Sequence, residues 1–290
     1  MDQIAIMGLG LMGGSLGLAL KKRCPERQVR VYARREATRQ TAIELGIADA
    51  VFADPVEAVR DADLVVYCTP ILTIPTLVAD SRAGLKPGAI LTDVGSTKAE
   101  LAAHIQVALQ GADAVFVGSH PVAGSEQTGV EAAREDLYEG ALVVVTPEDG
   151  QPPAVVGKVA AFWADVGALV RVISASEHDR VMARTSHLPH LMASLLAVTT
   201  GREEAASTVG PYCGTGFRDT SRVADGSPDV WHDIVSTNAP AITGELRQLR
   251  VQLDQLIQWT DAGEFDRIKE FLAAGRDCRR ALMAASPVES

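Results

Sequence analysis

A chain of 290 residues, 47% hydrophobic and 22% charged, has material for one large packed domain or two. Its formal net charge of −10 argues against a nucleic-acid backbone or an anionic membrane as partner. Cys24, Cys68, Cys213 and Cys278 are scattered with no C-x-x-C pair, no apolar run reaches the roughly 18 residues of a membrane span, and no secretory leader precedes Ile4, so a cytoplasmic protein without structural zinc is expected.

Gln3 to Met7 reads as a buried strand, and Gly8-Leu9-Gly10-Leu11-Met12-Gly13 follows it at once. A helical pattern (Leu16, Leu18, Ala19, Leu20) then runs to about Arg23. A G-x-G-x-x-G between a strand and a helix is a dinucleotide cradle. Its first glycine makes the turn, its second admits a pyrophosphate, and its third packs helix on strand. The phosphates then lie at the positive end of the helix dipole. The rival reading is a tight strand–helix turn with no ligand.

The second strand, Val29 to Ala33, ends in Arg34-Arg35, where an NAD-specific site carries an acid on the ribose 2′-hydroxyl. The first acid is Glu36, already in the next helix. Guanidinium groups attract and hydrogen-bond a 2′-phosphate, so NADP is expected, with Arg34 the main contact and Arg35 a second. The alternative is that both arginines are solvated or stack on the adenine, and NAD serves nearly as well.

Strands alternate with helices through the following stretch. A helix spans 36–45, and strands span Leu64–Cys68 (closed by Thr69-Pro70), Ala89–Val94, Val115–Gly118, Ala141–Thr146 and Leu169–Ile173. Helices lie at Ala99 to about Leu109 and along Val155, Val159, Phe162, Trp163 and Val166. The alternation predicts one parallel, doubly wound sheet over residues 1–173, a Rossmann domain, with Thr69 counted among its cofactor contacts. Ser96 is either an N-cap of the helix that follows or a hydroxyl in the crevice at the carboxyl edge of the sheet. The same edge receives Gly118-Ser119-His120-Pro121-Val122-Ala123-Gly124-Ser125-Glu126. His120 titrates near neutrality, Pro121 restricts its backbone, Gly118 and Gly124 let a ligand approach, and Glu126 is placed to orient the imidazole or meet the substrate.

From Ser174 the β pattern stops. Ser174 to Asp179 reads as an N-cap cluster before a long helix through Val181, Leu188, Leu191 and Leu195. Within it His187-Leu188-Pro189-His190 places two histidines on one face, and Pro189 kinks the helix. No carboxylate or cysteine cluster completes a metal site, so the pair faces cofactor or substrate, or is idle. Arg218 and Arg222 are candidates for carboxylate capture, one of them a surface ion pair. Later apolar stripes (Ile242, Leu246, Leu249, Leu253, Leu256, Ile257; then Phe265, Ile268, Leu272) predict helices packed on each other and on a second subunit.

Taken with Asp93-Val94-Gly95-Ser96-Thr97-Lys98, His120 to Glu126, Ser186 to His190 and Gly216 to Arg222, the glycine loop makes the chain resemble the prephenate/arogenate dehydrogenase family of tyrosine biosynthesis. The matches run in family order over nearly the whole chain. The resemblance implies an N-terminal Rossmann dinucleotide-binding domain (1–173), a C-terminal all-helical substrate and dimerisation domain (174–290), and a homodimer. It implies oxidative decarboxylation of prephenate, or of arogenate, with His120 accepting the hydroxyl proton, Ser96 assisting and Arg222 on a carboxylate. Glu126 would act at the cleft mouth, and His190, with His187, would line the cleft. No fused chorismate mutase or regulatory domain is expected in this length. A β-hydroxyacid dehydrogenase would place a catalytic Lys, with an Asn one turn later, where this chain has His187 to His190. A non-catalytic dinucleotide sensor would not need Ser96, His120 and Arg222 together.

Overall fold

The computed structural model describes residues 1–124, 127–202 and 206–285. The strands and α-helices up to residue 116 are β1 (Gln3–Met7), α1 (Leu11–Arg23), β2 (Gln28–Tyr32), α2 (Glu36–Glu44), β3 (Ala50–Phe52), α3 (Pro55–Val59), β4 (Leu64–Tyr67), α4 (Ile74–Ser81), β5 (Ala89–Asp93), α5 (Ala99–Ala108) and β6 (Ala114–Phe116). The strands form a parallel sheet in the order β3-β2-β1-β4-β5-β6. Side chains alternate across it. Ile4, Ile6, Leu64 and Val66 pack with Leu16 and Leu20 of α1, while Ala5, Met7, Val65 and Tyr67 pack with Leu77 and Val78 of α4 and Leu101 and Ile105 of α5. Burial on both faces is why these strands are continuous apolar runs, and each buried Ile or Leu contributes about 1.5–3 kcal/mol.

The expected single sheet is two. The run ending at Phe116 breaks at Val117, and β7 (Gly118–Val122), β8 (Leu142–Thr146) and β9 (Leu169–Val172) form a second sheet, in which β7 and β8 are antiparallel and β8 and β9 parallel. The connections explain this. Residues 123–141 carry no described α-helix to make a parallel crossover, whereas α6 (Pro153–Asp165) makes one between β8 and β9. His120 and Pro121 therefore lie in a strand, not in a loop after one, and Pro121 is tolerated because β7 is an edge. Gly118 serves this pairing, since a Cβ there would lie 2.6 Å from Thr146 Oγ1. The second sheet still shares the main core, through Val143, Val145, Phe162 and Trp163.

The helical half comprises α7 (Ala175–Met182), α8 (Leu188–Thr200), α9 (Ala206–Val209), α10 (Thr215–Ser221), α11 (Pro228–Thr237), α12 (Ala239–Asp261) and α13 (Phe265–Ala284). The expected long helix runs on through a π-helical turn, Ala183–His187, with helical backbone on both sides, and Pro189 follows that turn directly, where the regular hydrogen-bond ladder is already displaced. Ser174 caps α7 by accepting the N–H of Glu177 at 3.2 Å. Leu253, Ile257, Phe265, Leu272 and Leu282 of α12 and α13 are exposed. Among the described residues no helix is long and apolar enough to cross a membrane.

Candidate active site

The first cleft, about 650 Å³, lies at the carboxyl ends of β1, β2 and β4 and is lined by Gly8, Leu9, Arg34, Arg35, Thr38 and Thr69, among others. Gly10 is the N-cap of α1 and has no side chain to occupy the open N–H groups of its first turn. A Cβ at Gly10 would meet nothing within 4 Å, whereas one at Gly13 would lie 2.1 Å from the carbonyl of Gly8. The second glycine thus leaves room for a ligand, and the third is required by packing. Among the described residues Thr69 Oγ1 is enclosed with no hydrogen-bond partner. An open helix N-terminus and an orphan hydroxyl fit a pyrophosphate. Leu11 and Met12 belong to the first turn of α1, Leu11 buried and Met12 half-buried against the core. Arg34 and Arg35 are exposed at the far wall, and Arg39 donates to the carbonyls of Ala33 (2.8 Å) and Arg34 (2.9 Å), holding their turn in shape.

The second cleft, about 770 Å³, brings together Ser96, His120, Ser186, His187, His190 and Arg222, with Asp225 and Trp231 beside them. His120 Nδ1 lies 2.8 Å from His178 Nε2, and His178 Nδ1 lies 2.8 Å from Asp179 Oδ1. The carboxylate only accepts, so His178 carries its proton on Nδ1 and accepts at Nε2 from His120 Nδ1–H. This leaves His120 Nε2 as an unprotonated acceptor for the cleft. Burial, then the neighbouring His178, Lys98 and His187, hold the His120 imidazole well below its ordinary range, so it is neutral. Asn238 donates at 3.2 Å to His187 Nδ1, which puts the ring's single N–H proton on Nε2. Burial leads in lowering His187 to about 4. His190 stacks on Trp231 with ring centroids 3.5 Å apart.

Ser96 is not the N-cap. Helix α5 begins at Ala99, and the cap is Asp179, reaching from the helical half to accept the N–H groups of Lys98 and Ala99, each at 2.8 Å. Asp179 thus serves helix and relay at once. In the sequence His178 and Asp179 read only as part of an N-cap cluster, because an acid in a first helical turn has a sufficient local reason; the adjacent His-Asp pair is the signal that points further. Of the two arginines, Arg222 lines the cleft and Arg218 is exposed in α10 outside its lining. Glu126 lies outside the described residues. Among the described residues there is no cluster of three metal-ligating side chains.

A glycine cradle on a parallel sheet, beside a cleft holding a neutral buried imidazole, defines a nicotinamide-dinucleotide-dependent dehydrogenase. Two family descriptions cover most of the chain: "Prephenate dehydrogenase, nucleotide-binding domain" matches residues 16–172, and "Prephenate dehydrogenase, dimerization domain" matches residues 174–274. The chain belongs to the prephenate dehydrogenase family. It is 35% identical over 281 residues to a cyclohexadienyl dehydrogenase of Zymomonas mobilis, covering 96% of this chain and 95% of that one. Its fold is similar to the Aquifex aeolicus prephenate dehydrogenase crystallised with hydroxyphenyl propionate and NAD+ (TM-score 0.89, 28% identity, 97% of this chain and 98% of that one). It is also similar to a Synechocystis arogenate dehydrogenase (TM-score 0.84, 28% identity, 97% and 99%).

Proposed function

We propose that this chain oxidises and decarboxylates prephenate to 4-hydroxyphenylpyruvate with NADP, as a cytoplasmic homodimer whose two domains divide at 173/174. His120 lining the second cleft, with its Nδ1 committed to a His178–Asp179 relay so that Nε2 is left as the acceptor, is the observation that carries this reading. The dinucleotide, when bound in the glycine cradle, supplies the hydride acceptor. His120 takes the hydroxyl proton as hydride leaves the carbinol carbon, and the imidazolium that forms keeps donating its Nδ1–H to His178, which Asp179 orients. Loss of CO2 leaves the electron pair in an aromatic ring, and His120 returns the proton to the phenolate oxygen, ending as it began. Ser96 hydrogen-bonds the same hydroxyl, Arg222 pairs with a substrate carboxylate, and His187 and His190 line the ring. Glu126 is proposed for the cleft mouth. The exposed apolar faces of α12 and α13 support the homodimer, and four free cysteines support the cytoplasm.

Arogenate is the second reading. It is favoured by Asp225, a carboxylate in the cleft wall beside Arg222 that suits an ammonium group. The test follows cofactor reduction with prephenate and arogenate in parallel, in wild type and in Arg222→Ala and Arg218→Ala. We expect turnover of prephenate and a kcat/KM loss of at least about 30-fold in Arg222→Ala, the equivalent of about 2 kcal/mol for a lost carboxylate pair. Higher kcat/KM for arogenate would exchange the two substrates, and a larger loss in Arg218→Ala would move the carboxylate site.

A further inference from the structure

Asp93 and Lys98 form an ion pair with side chains 0% and 1% exposed, and neither lines the cofactor cleft or the substrate cleft. Burying two charges costs desolvation that an apolar pair of similar volume avoids, so stability alone is a poor reason for it. Its remaining hydrogen bonds give a better one. Asp93 Oδ1 accepts the N–H of Ser119 at 3.0 Å, and Lys98 Nζ donates to the carbonyl of Ser119 at 2.8 Å, so the pair grips one residue from both sides. Asp93 Oδ2 also accepts the N–H of Gly95 at 2.7 Å. The Ser119 hydroxyl is held by Thr92 (2.7 Å) and by the indole N–H of Trp163 (3.0 Å). The fit is close on both flanks: a Cβ on Gly95 would lie 2.8 Å from Asp93 Oδ2, and one on Gly118 would lie 3.3 Å from Lys98 Cδ.

Ser119 and Gly95 are the residues immediately before His120 and Ser96. The two cleft residues stand on different sheets, His120 on β7 and Ser96 just past β5, and this pair ties the two together. We propose that Asp93 and Lys98 are positioning residues for the reaction, a buried ion pair that sets His120 and Ser96 in one frame from inside the fold. The inference rests on reading His120 and Ser96 as the groups that meet the substrate hydroxyl. Displacements of about 1 Å in such groups cost on the order of 10²-fold in rate.

The experiment compares wild type, His120→Asn and the double variant Asp93→Asn/Lys98→Met, which strands no charge. Turnover, KM for the better substrate and the Kd of the reduced cofactor are measured for each. The double variant is expected to lose about 10²-fold in kcat, with KM and cofactor Kd each within about fivefold of wild type. A kcat within threefold of wild type would overturn the proposal, and so would parallel losses in kcat, KM and cofactor affinity, which mark general damage. Should the double variant not fold, amide exchange in wild type decides: Ser119 and Gly95 should exchange no faster than the amides of β5, and fast local opening at either refutes the clamp. If His120→Asn keeps its turnover, the base assignment has failed, and that outcome is separate from a failure of the ion pair.

Discussion

The proposed role of His120 as a base rests on its neighbours more than on its own chemistry. An imidazole in water titrates near 6.5, and half of such groups would be protonated at that pH and unable to accept. Here burial, His178, Lys98 and His187 all push the same way, toward the neutral ring. Protonation removes the acceptor, so kcat/KM should fall only as pH drops through the depressed value. The acid limb attributable to His120 is therefore expected well below pH 6.5. His120→Asn should lower kcat by at least about 10²-fold and erase that limb, with cofactor binding retained. A limb at or above 6.5 in wild type that survives the substitution would remove His120 from the proton path.

At the scale of elements, the proposed preference for NADP rests on the turn between β2 and α2. That turn presents two arginines and no acid before Glu36, and Arg39 braces it through two carbonyls. Arg34→Ala should raise KM for NADP at least about tenfold, roughly the worth of one charge-assisted hydrogen bond, and leave KM for NAD nearly unchanged. Equal kcat/KM for the two cofactors in wild type would refute the preference. This turn was legible in the sequence because strand, loop and charge are contiguous there. Other elements were not. β3 is three residues long, too short to show a period, and α3 is announced only by Asp54-Pro55, the cap and the first helical residue. The run Val115 to Gly118 reads as one strand, because the break between sheets depends on a partner, β8, more than twenty residues further on. The same holds for Lys98, which in sequence is the tail of a polar loop and in the fold is one of the most deeply buried side chains. What chain order hides in each case is a contact made at long range.

Across the whole molecule, four histidines sit in an environment that disfavours their charge: His120, His178, His187 and His190 are all lowered, with burial the leading cause. For His187 the folded value is about 4, against about 6.5 unfolded. Between those values the unfolded chain binds more protons, so stability is complete above pH 6.5 and is lost as pH falls toward 4. Tm should drop by at least a few degrees between pH 7 and 5, and His187→Gln should flatten that dependence. An identical slope in the variant would show that other groups carry it. Asp63, drawn down to about 2 by Lys86 and two backbone N–H groups against the effect of burial, titrates below this window and does not confuse it. The seam between the two halves has a further consequence. Asp179 caps α5 by reading main-chain N–H groups, which almost any residue supplies, whereas the Thr97–Thr237 hydroxyl contact at 2.7 Å needs a matched pair of side chains. Recombination between relatives near residue 173 would carry the first contact across intact and would keep the second only where both parents agree. Exchange of halves between relatives of this fold would therefore tolerate change at 99, where only the main-chain N–H is read, but not at 98, whose side chain pairs with Asp93, and Thr97 and Thr237 would have to be carried together.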